Sequence, residues 1–241
     1  MQSGGMIVAA QGPQPNEAFF FDFGAKVRDK GFVQIERLNG GLSDIPFAPA
    51  VRYSKPPADG VGQILYQVGA GLFSANITPP YKNWDRFRPI VEQGILALLD
   101  TRPVASKESP FHQVSLRYID IFREGLTNGL SSSEFMSSVL GFSFSPPAVI
   151  QKLANPGVPW KPRLEFGGQL KSGQHLHLVT AEGVAGGSSG VIFDTTVSCL
   201  TGVAPSIEDI MKELDLAHET IREVFLSTTH KLHDAMDPVE E

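Results

Sequence analysis

An α+β fold, with a curved and mainly antiparallel sheet packed against helices, is predicted from three observations. Residues 64–68 and 72–77 flank Gly69-Ala70-Gly71 as two strands flank a tight turn that needs positive φ. An apolar stripe at helical spacing starts at Trp84. Three segments of alternating polarity then run in series between Arg163 and Leu200, the mark of an antiparallel sheet with one buried face. Hairpin followed by helix thus occurs in both parts of the chain and suggests two pseudo-duplicated halves.

Taken in order, Ile7–Ala10 reads as a short first strand, ended by Gly12-Pro13-Gln14-Pro15. Asn16 is placed to cap a helix whose apolar positions Phe19, Phe20, Phe23 and Val27 follow the helical period, with Gly31 as its stop. Phe32–Leu38 reads as a strand and Asn39–Ala50 as a loop. After the hairpin, Trp84, Phe87, Val91, Ile95 and Leu98 form a stripe that should face a sheet. Pro89 leaves two readings: a separate first turn over Asn83–Arg88, or one helix kinked at the proline.

Gln113–Phe122 is a strand, Ser131-Ser132-Ser133-Glu134 opens a short helix, and Pro146–Pro162 reads as mostly irregular. That irregular stretch is the expected boundary between an N-terminal α+β half, 1–145, and a segment 146–241 of three antiparallel strands and a C-terminal helix, packed as one unit. The strands are Arg163–Lys171, His175–Glu182 and Val191–Leu200. In the first, Leu164, Phe166 and Leu170 alternate with polar residues; in the third, Val191, Phe193, Val197 and Cys199 share one face. Ser206 with Asp209 caps the last helix, whose apolar side is Ile207, Ile210, Leu214, Ala217, Ile221 and Val224. Continued to Met236 it would exceed about 40 Å, so a break is expected near Ser227-Thr228-Thr229. Its spacing also suits pairing with a second copy, although Ala217 and Thr228 make a weak seam.

The chain has 241 residues, of which 41% are hydrophobic, enough for a substantial core without metals or staples. A formal charge of −6 disfavours nonspecific nucleic-acid binding, because the net field repels phosphate. Arg86, Arg88 and Arg102 are the remaining basic candidates. One cysteine, Cys199, excludes an intramolecular disulfide and fits a reducing cytoplasm. No stretch approaches the roughly 18 apolar residues of a membrane span, and the start lacks a basic, signal-like region. A soluble cytoplasmic protein is expected.

Motifs for chemistry are sparse. Gly186-Gly187-Ser188-Ser189-Gly190 formally matches G-x-S-x-G, but a strand follows where a nucleophile elbow needs a helix, so it reads as a turn. His175 and His177 share a strand face without an evident third ligand, and His218, His230 and His233 read as surface polar residues. No Walker sequence, dinucleotide fingerprint or H-E-x-x-H is present. Cys199 reads as a small buried hydrophobe. Tyr81 and Trp84 suit either locking a helix onto a sheet or stacking on a planar ligand. Arg117 and Asp120 fall on opposite faces of one strand and cannot easily form an acid–base pair; Arg117 is assigned to a structural ion pair, for instance with Glu92, or to an anion.

Four blocks carry a resemblance: Gly71-Leu72-Phe73-Ser74-Ala75-Asn76, Pro79-Pro80-Tyr81-x-x-Trp84-x-x-Phe87-Arg88-Pro89, Leu116-Arg117-Tyr118-Ile119, and Leu216-Ala217-His218-x-x-Ile221-Arg222-x-x-Phe225. Together they resemble an uncharacterised, sporadically distributed bacterial family with G-x-G-L-L-S-x-N, P-P-Y-x-x-W-x-x-F-R-P and L-R-Y-I motifs, over most of residues 64–235. The N-terminal region matches the pattern poorly. The resemblance implies a bacterial origin and patchy inheritance, loosely linked to mobile or defence genes, and brings no reaction, cofactor or catalytic residue.

The reading is therefore a non-catalytic binding or interaction protein with a protein partner, no cofactor and no metal; a homodimer is the competing use of its surface. The alternative is a small-molecule sensor or enzyme with a pocket between sheet and helix near Tyr81, Trp84, Arg117 and Tyr118.

Overall fold

The structure, a computed structural model, describes residues 17–38, 45–58, 60–158, 160–185 and 187–236. The expected first strand, the Asn16 cap and part of the Asn39–Ala50 loop lie outside the described residues. Two four-stranded antiparallel sheets carry the fold. In sheet 1, β1 (Gln34–Arg37), β2 (Val51–Ser54), β3 (Ile64–Gly69) and β4 (Leu72–Ile77) pair in chain order. In sheet 2, β5 (Val114–Phe122), β6 (Arg163–Gln169), β7 (His175–Ala185) and β8 (Ser188–Cys199) pair in the order β5-β8-β7-β6. Sheet 2 thus joins one strand from before residue 146 to three from after it.

The α+β class and the antiparallel pairing are those expected, divided between two sheets. The β3–β4 hairpin turns at Ala70-Gly71, with Gly71 at φ 75. β2 has no counterpart in the sequence reading; four residues are too few to display alternation. β6 is the second difference. It lies at a sheet edge, where a residue has strand neighbours on one side only, and all its residues but Leu164 are exposed.

Three helices make the cover: α1 (Glu17–Arg28), α2 (Trp84–Thr101) and α6 (Ile207–Thr228). Shorter ones, α3 (Glu124–Thr127), α4 (Ser132–Glu134), α5 (Ala148–Leu153) and α7 (His233–Met236), lie in the connections and at the end. α2 is one helix, with Pro89 inside it. Asn83 caps it, its Oδ1 accepting the Arg86 N–H at 3.2 Å. Trp84, Phe87, Val91, Ile95 and Leu98 are all buried, as the stripe requires. Ser206 caps α6 by accepting the Asp209 N–H at 3.0 Å, and the helix stops at Thr228, where the break was expected.

Sheet 1 holds α1 and α2 by the same device used twice. Tyr53 and Tyr66 face each other across β2 and β3 on the core face. The Tyr53 hydroxyl donates to the Phe20 carbonyl of α1 and the Tyr66 hydroxyl to the Ile90 carbonyl of α2, each at 2.5 Å. One helical turn after each carbonyl stands a glycine, Gly24 or Gly94, lying against the same tyrosine ring. A Cβ at Gly24 would come within 2.7 Å of Tyr53, and one at Gly94 within 2.7 Å of both Tyr66 and Phe73. The missing side chain lets each ring slide under its helix. Phe23 packs against Tyr53, Tyr66 and Phe73 between the two contacts. Burial pushes the Tyr53 hydroxyl up to about 12 and raises that of Tyr66 as well, so both stay protonated donors.

Gly94→Ala is expected to destabilise the protein by about 1–2 kcal/mol, because overpacking two buried rings outweighs the ~1 kcal/mol that alanine contributes to helix propensity. Denaturant titration of the variant beside wild type checks this; a midpoint equal to or above wild type would contradict the close-contact argument.

Candidate functional site

The polar groups that converge inside the molecule do so where the start of α2 meets β5 and α6. Tyr81 lies in the approach to α2 and Trp84 is the first residue of that helix. Tyr118 sits on the face of β5 turned to α6, from which Asp215 and His218, one turn apart, reach back. The Trp84 Nε1 donates to Asp215 Oδ1 at 2.9 Å. Arg88 grips the same carboxylate with two prongs, Nε to Oδ1 at 2.9 Å and Nη2 to Oδ2 at 2.8 Å. The indole of Trp84 stacks on the His218 ring with centroids 5.3 Å apart. The Tyr81 and Tyr118 hydroxyls are 2.7 Å apart, and the Tyr118 hydroxyl is 3.3 Å from His218 Nδ1.

Chemically this is a satisfied network. Burial acts to raise the Asp215 pKa, but hydrogen bonds from Arg88 and Trp84 outweigh it and hold the carboxyl below its usual range, so it is an anion at neutral pH. Trp84 is 4% exposed. His218, read from sequence as a surface residue, belongs to this cluster; only the fold brings it beside Trp84. Nothing in the sequence pairs Asp215 with Arg88, although an Asp three residues before a His on an amphipathic helix is a visible signal.

Arg117 is elsewhere. It projects from the opposite face of β5, where it pairs with Asp194 of β8 through two bonds, Nε to Oδ1 at 2.8 Å and Nη2 to Oδ2 at 2.6 Å. The ion pair expected for Arg117 is formed, but with Asp194; Glu92 instead faces Arg88 at 3.3 Å. Of the four residues grouped from sequence, the structure brings Tyr81, Trp84 and Tyr118 together and leaves Arg117 out. Strand alternation between Arg117 and Tyr118 already required this.

Asp120 shares the α6-facing side of β5 with Tyr118 and is 5% exposed. Its Oδ1 has no hydrogen-bond partner, and neither has Thr180 Oγ1, on the far side of Phe193 in the same row. Loss of hydration pushes the Asp120 carboxyl up to about 7.

Other sequence candidates fall apart in space. His177 pairs with Glu165 at 3.0 Å, and among the described residues no group of three His, Cys, Asp or Glu side chains could hold a metal ion. Cys199 is buried. Ser188–Gly190 belong to β8, so a strand follows the G-x-S-x-G match. Of the basic candidates, Arg88 is paired with Asp215 and Arg102 is buried with its guanidinium 4.3 Å from the Phe111 ring; only Arg86 is open. Among the described residues no helix is long and apolar enough to cross a membrane.

Two grooves lie apart from the Trp84 network. One, of about 450 Å³, is lined by Arg123, Glu124, Ser132, Glu182, Ser188 and Ser189 among others. The second, of about 330 Å³, runs between α1 and α2 past Lys26, Leu96 and Asp100.

The stretch expected to be irregular, Pro146–Pro162, contains α5, which buries none of its residues. Val149, Ile150 and Leu153 on that helix, then Val158 and Trp160, are all exposed, Leu153 at 82%. Comparison with family models, with curated proteins and with solved structures finds no match to this chain.

Two pH-dependent outcomes follow from the carboxyls. The folded pKa of Asp120 lies above the unfolded value of about 3.9, so its ionisation penalty is absent in acid and grows as pH rises from about 4 to about 7, reaching on the order of 4 kcal/mol. Asp120→Asn should therefore melt above wild type at pH 8, with the difference vanishing near pH 4. Asp215 has the opposite sign: its depressed pKa contributes stability above the unfolded value that is lost as pH falls through the folded one. Asp215→Asn should cost about 1–3 kcal/mol at pH 7 and progressively less below pH 4, read by thermal melts across a pH series.

Proposed function

We propose that the protein is a non-catalytic interaction protein that binds a protein partner through the apolar excursion 148–160. The observation that supports this is α5: a six-residue helix is too short to persist on its own propensity, and this one turns Val149, Ile150 and Leu153 to solvent. A cluster of exposed apolar side chains of that kind is one mark of a protein–protein contact. The interior supports the same reading from the other side, since the Tyr81–Trp84–Tyr118–His218 cluster uses its polar groups on one another and on Asp215. The resemblance to a patchily inherited bacterial family adds a link to mobile or defence genes, and the single cysteine, Cys199, fits a cytoplasmic setting.

A second reading, a small-molecule sensor or enzyme, is favoured by one feature, the groove of about 450 Å³ with Arg123, Ser132, Glu182 and two β8 serines on its walls.

Co-purification from the host, with neighbouring genes recorded, separates the two. Wild type should retain a partner that the Leu153→Glu, Trp160→Ala double variant loses, while both melt alike. Equal recovery by both, or stabilisation by nucleotides or metabolites in a thermal-shift screen with turnover and no partner, would reverse the ranking.

A further inference from the structure

Of the four sheet edges, β4 and β5 are mostly buried. β1 is a four-residue edge carrying Glu36 and Arg37, a short and charged end of the kind that resists pairing. β6 differs. It runs for seven residues, contains no proline or lysine, and is exposed along its length. The Leu170 N–H donates to the Gln174 carbonyl, which by antiparallel alternation makes Leu164, Phe166 and Gly168 the residues bonded to β7. The backbone groups of Arg163, Glu165, Gly167 and Gln169 therefore point away from the sheet. No turn or loop hydrogen bond described in the structure uses any of them.

We infer that β6 is a homodimerisation edge, on which two copies pair β6 antiparallel about a two-fold axis passing at Phe166. The register is chosen by the sequence itself. A two-fold axis normal to the sheet requires opposed residues to lie on the same face, which leaves three well-overlapped registers, centred on Glu165, Phe166 or Gly167. Centring on Glu165 sets two carboxylates face to face, and centring on Gly167 leaves only residues 165–169 of β6 paired with their counterparts. Centring on Phe166 pairs all of β6, opposing Arg163 to Gln169 and Glu165 to Gly167 of the second copy with no like charges directly opposite within the strand, and Lys161, which faces Lys171 just beyond it, is already paired with Glu182. Like the other two registers, it matches the outward backbone groups to one another, since Arg163, Glu165, Gly167 and Gln169 are the members of those pairs.

The apolar side of that register is equally self-complementary. Phe166, 47% exposed, lies opposite itself in a non-hydrogen-bonded pair, the closer of the two spacings. Phe142 stacks on it at 5.4 Å within each copy, so four rings meet at the axis. The helix seam considered from sequence is already spent, because Ile210, Leu214, Ala217 and Ile221 of α6 are buried in the core of their own chain.

Sedimentation velocity over a concentration series tests the assembly, and a cysteine scan tests the register. Wild type should shift from monomer to dimer with concentration, and Gly167→Pro and Phe166→Glu should remain monomeric with unchanged far-ultraviolet dichroism. In a Cys199→Ala background, Phe166→Cys should form a disulfide-linked dimer in air and Leu164→Cys should not. A wild-type monomer at every concentration with no cross-link at 166 would overturn the inference. So would a dimer that persists in both β6 variants, or a chain that remains monomeric while an extended peptide of another protein occupies β6. The result is independent of the partner assay, which reads residues 148–160.

Discussion

One carboxylate on α6 ties the molecule together. Asp215 accepts the Trp84 indole N–H and the paired nitrogens of Arg88, all three from the first two turns of α2. α2 belongs to sheet 1 and α6 to sheet 2, so this contact crosses between the two sheets, over a hydrophobic core that runs continuously from one to the other. The contact is partly buried, where charge-assisted bonds are stronger than on an open surface. The stacked His218 and the Tyr81–Tyr118 pair extend it onto β5. Trp84 has a place in this contact because its helix begins one residue after the Asn83 cap, which sets the rotation of the first turn.

Around that contact, packing leaves little slack. Sheet 1 fastens its two helices by tyrosine hydroxyls on helix carbonyls, and each contact works only where the helix carries glycine. α1 and α2 are also joined to each other through the Lys26–Asp100 ion pair. A core organised this tightly has most of its polar groups committed to structure, with Asp120 Oδ1, Thr180 Oγ1 and Gln174 Oε1 among the buried exceptions. Surface available for recognition then lies at the periphery, in the excursion through α5 and along β6. Both follow the 142–162 connection, which leaves the core and returns as an edge strand.

Much of the secondary structure was legible in the chain. The β3–β4 hairpin, the α2 stripe, the buried row of β8 and the Ser206 cap each rest on a period or a cap that local sequence displays without help. β2 was not legible, being four residues long and recognisable only by its pairing with β3. The glycine–tyrosine contacts were hidden for another reason. A glycine inside a helical pattern reads as a weakness, and its use appears only once the opposing ring is known.

The candidate site divides along the same line. Alternation along β5 determined by itself that Arg117 and Tyr118 point opposite ways, and helical spacing determined that Trp84 faces inward; both are consequences of backbone geometry within one element. Which partners those side chains meet was decided by tertiary structure. Arg117 meets Asp194 and Trp84 meets Asp215 across separations of 77 and 131 residues. No local period encodes a pairing at that distance: it exists only because the sheets and helices pack in one particular order, which places each donor beside the carboxylate that accepts from it.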